Sequence, residues 1–300
     1  MRKHLRRLYL LSISALIVLI CGCYEKEEKK DVSANEERTE RKEGIQNQIN
    51  GNYLQVIDRY DYDGFPTYQE AFSDRELVKK LKCFNEYLHD EYDYFELSFQ
   101  SAQKIGYYDG NIDFVLDNDK SMLNQEVELN GKKTYVTTLK TVMIDCSISQ
   151  ILKDHINEGR CFEDDDYEIA DNKIPVILGS EYSKRYIVGD ELELNYLSLN
   201  AIFTVVGFLE PDTSFTILNQ KVTLDNYICI PAFVTNMIVD FQNKLFLQLF
   251  YIQKNKGMIM ISDNCTEEEV EEYRNLISES AKEYGLYFDL ATLQTKILIE

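Results

Sequence analysis

Few residues in this 300-residue sequence have the types and spacing that covalent catalysis requires. The chain contains three histidines, His4, His89 and His155, and His4 lies in the basic start of the chain. A serine or cysteine nucleophile needs a base within hydrogen-bond reach, and the GSEYS segment at 179–183 is not a G-x-S-x-G nucleophile elbow. His89 is followed by two acids and is expected on the polar face of a helix. The sequence therefore predicts no catalytic residue and a non-enzymatic protein.

Two acidic segments offer the hard oxygen ligands that calcium prefers. Their carboxylates are Asp58, Asp61 and Asp63 in the first segment, and Asp113, Asp117 and Asp119 in the second. Neither segment has the ligand spacing, central glycine and closing glutamate of an EF-hand loop, so we predict no metal site and no cofactor. Paired carboxylates for glycoside hydrolysis depend on geometry. A carboxylate-dependent extracytoplasmic hydrolase therefore stays open as an alternative.

The sharpest chemical signal is a cysteine near the N-terminus. A basic start at residues 2–7 precedes a 13-residue, mainly apolar run, Leu8–Ile20. A run of this length fits a signal peptide better than a membrane-spanning helix, which needs about 20 residues. The Ile20-Cys21-Gly22-Cys23 segment resembles a bacterial lipobox. Cys23 is the predicted site of lipid attachment, and Cys21 is the weaker candidate because bulky Ile20 precedes it.

Residues 1–23 are thus predicted to be a signal peptide with a lipobox, and the alternative is an uncleaved anchor helix. Either form attaches the chain to the cytoplasmic membrane with its bulk on the outer face. The first form is lipid-anchored, and the second is a single-pass membrane protein. Residues 24–52 are charged and polar, so they bury too little to offset their ordering entropy and are predicted to be a disordered tether. As a flexible coil, this tether would span roughly 30 Å.

The charge balance limits the partners. The chain has 32 Lys and Arg against 52 Asp and Glu, a net charge of −20. Nucleic-acid binding relies on basic patches that neutralise phosphates, and adhesion to anionic lipids also needs basic residues. We therefore predict no nucleic-acid partner.

Five cysteines follow the leader at wide spacing and without a C-x-x-C pair: Cys83, Cys146, Cys161, Cys229 and Cys265. This pattern does not indicate a zinc knuckle or a thioredoxin-like site. Several of these residues lie in apolar segments, so buried free thiols are expected. The alternative that the sequence leaves open is a Cys146–Cys161 disulfide.

Both ends of the globular part show the pattern of a β-α-β unit. At the first end we predict a strand over 53–60, a helix over 68–90 with Thr67 and Glu70 as a capping box, and a strand over 94–99. At the second end we predict a strand over 257–262, a helix from Thr266 to about Tyr284, and a strand over 287–293. The two units suggest an α+β fold with a split ferredoxin-like subdomain formed by residues 53–124 and 256–300.

Residues 125–255 are predicted to be an inserted, strand-rich subdomain. Alternating or β-branched runs predict strands over 133–144, 174–178, 191–197, 201–209 and 227–230. A further strand of mixed pattern is predicted over 245–251, and a short helix over 149–156 that Gly159 stops.

An ordered series of motifs runs through this insertion. NEGRCF at 157–162 is followed by four acids, then IPVILG at 174–179, VGDEL at 188–192 and FTVVGFL at 203–209. Over about residues 157–209 the series resembles the MacB-like periplasmic core domain of FtsX-like ABC transporter permeases. The positions expected to define the fold, through turns and close packing, are Gly159, Arg160, Phe162, Gly179, Gly189, Asp190 and Gly207.

The resemblance implies an accessory, substrate-handling or sensing role beside an ABC permease and its ATPase. It does not imply transport by this chain, because the transmembrane helices that follow the domain in a family permease have no counterpart before Glu300. The expectation is therefore either a free-standing lipoprotein form of the domain or a truncated permease fragment with one N-terminal transmembrane helix.

Overall fold

A computed structural model describes residues 51–300 except 130, 170, 218–219, 241, 263 and 300. The predicted leader with Cys23, and residues 24–50 of the predicted tether, lie outside the described residues. The described part is a mixed α+β structure with a high strand content, which confirms the predicted class.

The described residues form five α-helices and sixteen strands. The helices are α1 (Tyr68–Ser73), α2 (Leu77–Glu91), α3 (Cys146–Leu152), α4 (Lys244–Lys254) and α5 (Glu267–Glu283). The first eight strands are β1 (Gly51–Asp58), β2 (Tyr94–Phe95), β3 (Leu97–Ile105), β4 (Gln125–Leu129), β5 (Lys132–Ile144), β6 (Ile156–Gly159), β7 (Glu168–Ile169) and β8 (Lys173–Leu178). The others are β9 (Glu191–Tyr196), β10 (Leu199–Leu209), β11 (Ser214–Ile217), β12 (Gln220–Thr223), β13 (Ile228–Pro231), β14 (Val234–Thr235), β15 (Met258–Ile261) and β16 (Phe288–Ile299).

One sheet has six strands in the order β12-β11-β16-β1-β15-β2. β1 lies at its centre and pairs antiparallel with both β15 and β16, and β15 pairs antiparallel with β2. β1 is therefore a neighbour of β15 and β16, although the paired residues are more than 200 positions apart in sequence.

The other large sheet has eight strands, and six of them form a closed ring. Its order is β13-β8-β10-β9-β3-β5-β4, with β6 paired to β10. β13 closes the ring because it pairs antiparallel with β8 and parallel with β5. Buried side chains from this ring, from α2 and α4, and from the six-stranded sheet form one hydrophobic cluster.

The predicted capping box at Thr67 is confirmed, and the predicted helix start at Thr266 has a capping box as well. The Thr67 hydroxyl accepts from the Glu70 N–H at the start of α1, and the Thr266 hydroxyl accepts from the Glu269 N–H at the start of α5. In each box the glutamate carboxylate accepts the N–H of the threonine, which satisfies two backbone donors that a helix start leaves unpaired. The predicted helix over 68–90 is wrong in one detail: it divides at Asp74 into α1 and α2.

The predicted strand over 245–251 is wrong, since these residues belong to α4. Eight residues of this helix are buried, from Phe246 to Lys254. A helix that is enclosed on most sides lacks a polar stripe, so its short apolar run cannot be distinguished from a buried strand by periodicity. None of the helices in the described residues is long and apolar enough to cross a bilayer.

The predicted helix over 149–156 is also displaced. α3 starts at Cys146, where the Asp145 carboxylate accepts from the N–H groups of Ser147 and Ile148. A 3-10 turn follows at Lys153–His155, and Gly159 ends β6 instead of a helix. In the sequence, Gly159 indicated the end of a helix. In the structure, Gly159 instead lies close to Gly207 of the neighbouring strand β10.

The predicted segments do not coincide with the two large sheets. β3, from the predicted 53–124 segment, lies in the eight-stranded sheet. β11 and β12, from the predicted 125–255 insertion, extend the six-stranded sheet beside β16. The boundaries at 124 and 255 stay a prediction.

Gly207 provides a test of the close contact between β6 and β10. It pairs with Gly159, and a Cβ atom at Gly207 would lie 2.4 Å from the Arg160 carbonyl oxygen. Since that atom is backbone, Gly207→Ala is expected to lower the free energy of unfolding by about 1–3 kcal/mol. Urea unfolding of the purified protein measures this loss. Thr204→Ala on the same strand is the control, with a change within about 0.5 kcal/mol, and equal losses would contradict the contact.

Candidate functional site

The first passage of the chain from the six-stranded sheet to the eight-stranded sheet occurs at a buried acid. Glu96 lies between β2 of the six-stranded sheet and β3 of the eight-stranded sheet. Its Oε2 atom is 2.8 Å from the Nζ atom of Lys254 in α4, and both side chains are 3% exposed. This ion pair therefore joins the strand crossover to the buried helix.

Other donors complete the environment of this pair. Glu96 Oε1 accepts from Asn85 Nδ2 at 2.8 Å and lies 3.2 Å from His89 Nε2. Lys254 Nζ also donates to the carbonyl oxygens of Ala232 and Phe233, at 2.9 and 3.1 Å. Burial alone would raise the pKa of Glu96, but Lys254 and His89 hold it below its usual value. A charge buried with this many partners is held in one geometry.

His89 was predicted on the polar surface of a helix, but in the structure its side chain is only partly exposed. Its imidazole lies 5.0 Å from the Tyr94 ring, and it contacts the buried Glu96 carboxylate. The side chain is 28% exposed. His89 therefore belongs to the edge of the buried network.

A cleft lies beside the Glu96–Lys254 pair, because sequence neighbours of both residues line it. It has a volume of about 260 Å³ and is lined by residues of β1, β3, β11 and β15 and by the end of α4. Its polar lining residues are Gln55, Ser98, Gln253 and Lys256. Its apolar lining residues are Leu97, Phe99, Ile217 and Met258. The lining in the described residues includes no carboxylate, so the cleft does not have the paired acids of a glycoside hydrolase.

Asp58 and Lys256 form a second pair, which reaches the cleft through Lys256. Lys256 Nζ lies 3.9 Å from Asp58 Oδ2. Asp58 Oδ1 accepts from the Tyr60 N–H at 3.2 Å and from the Tyr68 hydroxyl. Burial raises the pKa of Asp58 to about 7, although Lys256 and Tyr68 partly oppose the rise. Burial lowers the pKa of Lys256 to about 8, and Asp58 partly opposes that change.

The motif residues named from the sequence lie away from this cleft. Gly159 and Gly207 face each other across β6 and β10, and Gly189 donates its N–H to the Val205 carbonyl nearby. Arg160 donates to Asp166 with both terminal nitrogens. These contacts hold together one end of the eight-stranded sheet.

The remaining motif residues also have positions that shape the backbone. A Cβ atom at Gly179 would lie 2.0 Å from the Leu224 carbonyl oxygen. Asp190 accepts the Ile187 N–H at 3.0 Å and closes the turn that contains Gly189, whose φ is +97°. Phe162 is buried beside Tyr167. Their assignment as a family motif stays a prediction.

The described cysteines differ in their disulfide state, and the described acids and cysteines form no metal-binding cluster. Cys146, Cys161, Cys229 and Cys265 are not disulfide-bonded, so the alternative Cys146–Cys161 disulfide is not formed. Cys83 is disulfide-bonded, which corrects its prediction as a free thiol. No cluster of three or more His, Cys, Asp or Glu side chains able to hold a metal ion occurs in the described residues.

The sequence did not point to Glu96, Lys254 or Lys256. The wrong strand assignment over 245–251 hid that Lys254 ends a buried helix. A usable signal was present, because Lys254 and Lys256 flank Asn255 between two apolar segments. Lysines in such a position need a buried partner.

Comparison with known proteins does not place this chain in a family. No protein-family model matches it. No curated protein matches it either. Its function is therefore inferred from its own residues.

The Glu96–Lys254 pair predicts a large loss of stability on truncation of one partner. Lys254→Met leaves the Glu96 carboxylate buried without its counter-ion, so the free energy of unfolding should fall by about 3–5 kcal/mol. The double variant Lys254→Met/Glu96→Gln should recover part of this loss. Lys133→Met is the matched control, because Lys133 is 77% exposed in its pair with Glu126 and should change stability by about 0–1 kcal/mol. Equal losses for Lys254→Met and Lys133→Met would contradict the buried pair.

Asp58 predicts a pH dependence of stability. Its pKa is raised to about 7 in the folded protein, so the folded state binds its proton more tightly than the unfolded chain. The resulting stability is present below about pH 4 and is lost as the pH rises through about 7. Asp58→Asn cannot titrate, so its free energy of unfolding should fall less over this range. Urea unfolding at several pH values measures both slopes, and equal slopes would rule out the shift.

Proposed function

We propose that this chain is a non-enzymatic, lipid-anchored extracytoplasmic domain that acts beside an ABC permease and its ATPase. Its role would be accessory: it handles a substrate or senses a ligand outside the membrane. The observation that carries the proposal is the lipobox-like ICGC segment directly after a short apolar run and before a polar segment. A lipid on Cys23 would attach the described domain to the outer face of the cell membrane.

The topology of the six-stranded sheet supports the family part of this proposal. Four of its strands occur in the order β16-β1-β15-β2, and each neighbouring pair is antiparallel. Numbered along the chain within their two β-α-β units, these strands have the order 4-1-3-2. We infer a split ferredoxin-like arrangement, with residues 53–124 and 256–300 at its centre and most of the insertion in the second sheet.

The motif series supports it as well. The segment 157–209 provides β6, β8, β9 and β10, which are neighbours in the eight-stranded sheet. The glycines of the series stand where a side chain would meet backbone atoms, as at Gly179 and Gly207, or where φ is positive, as at Gly159 and Gly189. Glycine fits these positions because it has no Cβ atom, and this is the turn-forming and close-packing role that the resemblance implies for them.

Lipid labelling and co-purification test the proposal together. In cells grown with a labelled fatty acid, the wild-type protein should carry the label and Cys23→Ser should not. Cys21→Ser is the matched control and should keep the label. Solubilisation of the wild-type protein in mild detergent should recover a permease and an ATPase with it. An unlabelled wild-type protein with an intact N-terminus would favour the anchor-helix or truncated-permease alternative, and a labelled protein without a membrane partner would contradict the role beside a transporter.

A further inference from the structure

The cleft between the sheets has a charge opposite to that of the whole chain. The net charge of the protein is −20, yet the charged residue in the lining, within the described part of the chain, is Lys256. Lys256 is 21% exposed on its side chain, whereas its counter-ion Asp58 is nearly buried at 6%. The cleft therefore presents a cation to solvent while the compensating carboxylate lies behind it.

Two amide side chains accompany this cation. Gln253 is buried, and its Oε1 atom accepts from the Ser98 hydroxyl at 2.9 Å. Because Oε1 is bound to Ser98, the Nε2 donor group of Gln253 points away from that hydroxyl. Gln55 adds a half-buried amide from β1. A lysine ammonium and amide N–H groups are donors that suit an anionic oxygen.

We propose that this cleft binds a small monocarboxylate, with its carboxylate against Lys256 and the amides of Gln55 and Gln253. Its apolar part packs on Leu97, Phe99, Ile217 and Met258, which are the apolar residues of the lining. Phe99 is 38% exposed and lies 5.5 Å from the Tyr227 ring, so it forms an aromatic wall at the opening. A volume of about 260 Å³ is below the range of about 300–1,000 Å³ for sites that bind drug-sized ligands. The ligand is therefore a short organic acid.

The groups around Asp58 couple its protonation to the binding of such a ligand. Tyr68 from α1, the Tyr60 N–H and Lys256 all face its carboxylate, and Asp61 accepts the Tyr68 N–H nearby. A bound carboxylate becomes a second negative charge beside Lys256, which favours the protonated form of Asp58. Binding is therefore accompanied by proton uptake and weakens as the pH rises.

Calorimetric titration of the purified full-length protein in detergent tests this proposal with hexanoate as the probe. Hexanamide, which has the same shape and no charge, is the matched control ligand. Hexanoate should bind, and hexanamide should bind at least about tenfold more weakly. Inorganic phosphate should also bind more weakly than hexanoate, because it has no apolar part to fill the cleft. Equal binding of hexanoate and hexanamide, stronger binding of phosphate, or no binding of hexanoate at millimolar concentration would overturn the proposal.

Substitutions of lining residues test whether hexanoate binds in this cleft. Lys256→Met should weaken hexanoate binding at least about tenfold, while Lys133→Met, which removes an exposed lysine elsewhere, should leave it unchanged. If thermal unfolding shows that Lys256→Met is not folded, Gln55→Leu removes one donor at similar size and should weaken binding several-fold. Unchanged binding in a folded Lys256→Met or in Gln55→Leu would contradict the site.

This inference goes beyond the proposed function and fails independently of it. The titration uses purified protein without a permease, so an absence of binding leaves the lipid anchor and the membrane partner untouched. Conversely, an unlabelled Cys23 would leave the cleft and its ligand class unaffected.

Discussion

The buried ion pair between Glu96 and Lys254 is the constraint on which the rest of the structure depends. The chain first passes from the six-stranded sheet to the eight-stranded sheet at Glu96, and Lys254 is the last residue of α4, which packs against α2 and β3. Burying either charge alone would be costly, so the strand crossover and the helix end are held together in one geometry. The carbonyl oxygens of Ala232 and Phe233 extend this link to the segment after β13.

The position of the cleft lining follows from the Glu96–Lys254 ion pair. Ser98 and Phe99 follow Glu96 along β3, and Gln253 and Lys256 flank Lys254, so fixing the pair also fixes most of the polar lining. Asp58 places a second carboxylate behind Lys256 and is itself held by Tyr68. Among the described residues, the lining of the cleft therefore combines a lysine and two amides with apolar side chains and includes no carboxylate, an arrangement that suits binding.

Local signals in the sequence predicted more of this structure than long-range ones could. The capping box at Thr67, the helix start at Thr266, the strands around β8 and β10, and the α+β class follow from patterns within a few residues. α4 was missed because a helix buried on most sides has the same short apolar pattern as a strand. The site was missed because Glu96 and Lys254 are about 160 residues apart, and no local pattern relates them. Gly159 and Gly207 were named from the sequence as positions that define the fold. At Gly159 the sequence indicated a helix end, and the strand contact found in the structure could be seen only with the partner strand in place.

We propose that this acidic domain lies outside the cytoplasmic membrane and is attached to it by its N-terminus. Labelling of intact cells with a membrane-impermeant maleimide tests it most directly, with Lys120→Cys, an exposed position, as the reporter. The account predicts that the reporter is labelled in intact cells as fully as after lysis. Labelling that appears only after lysis would place the domain in the cytoplasm and contradict the account.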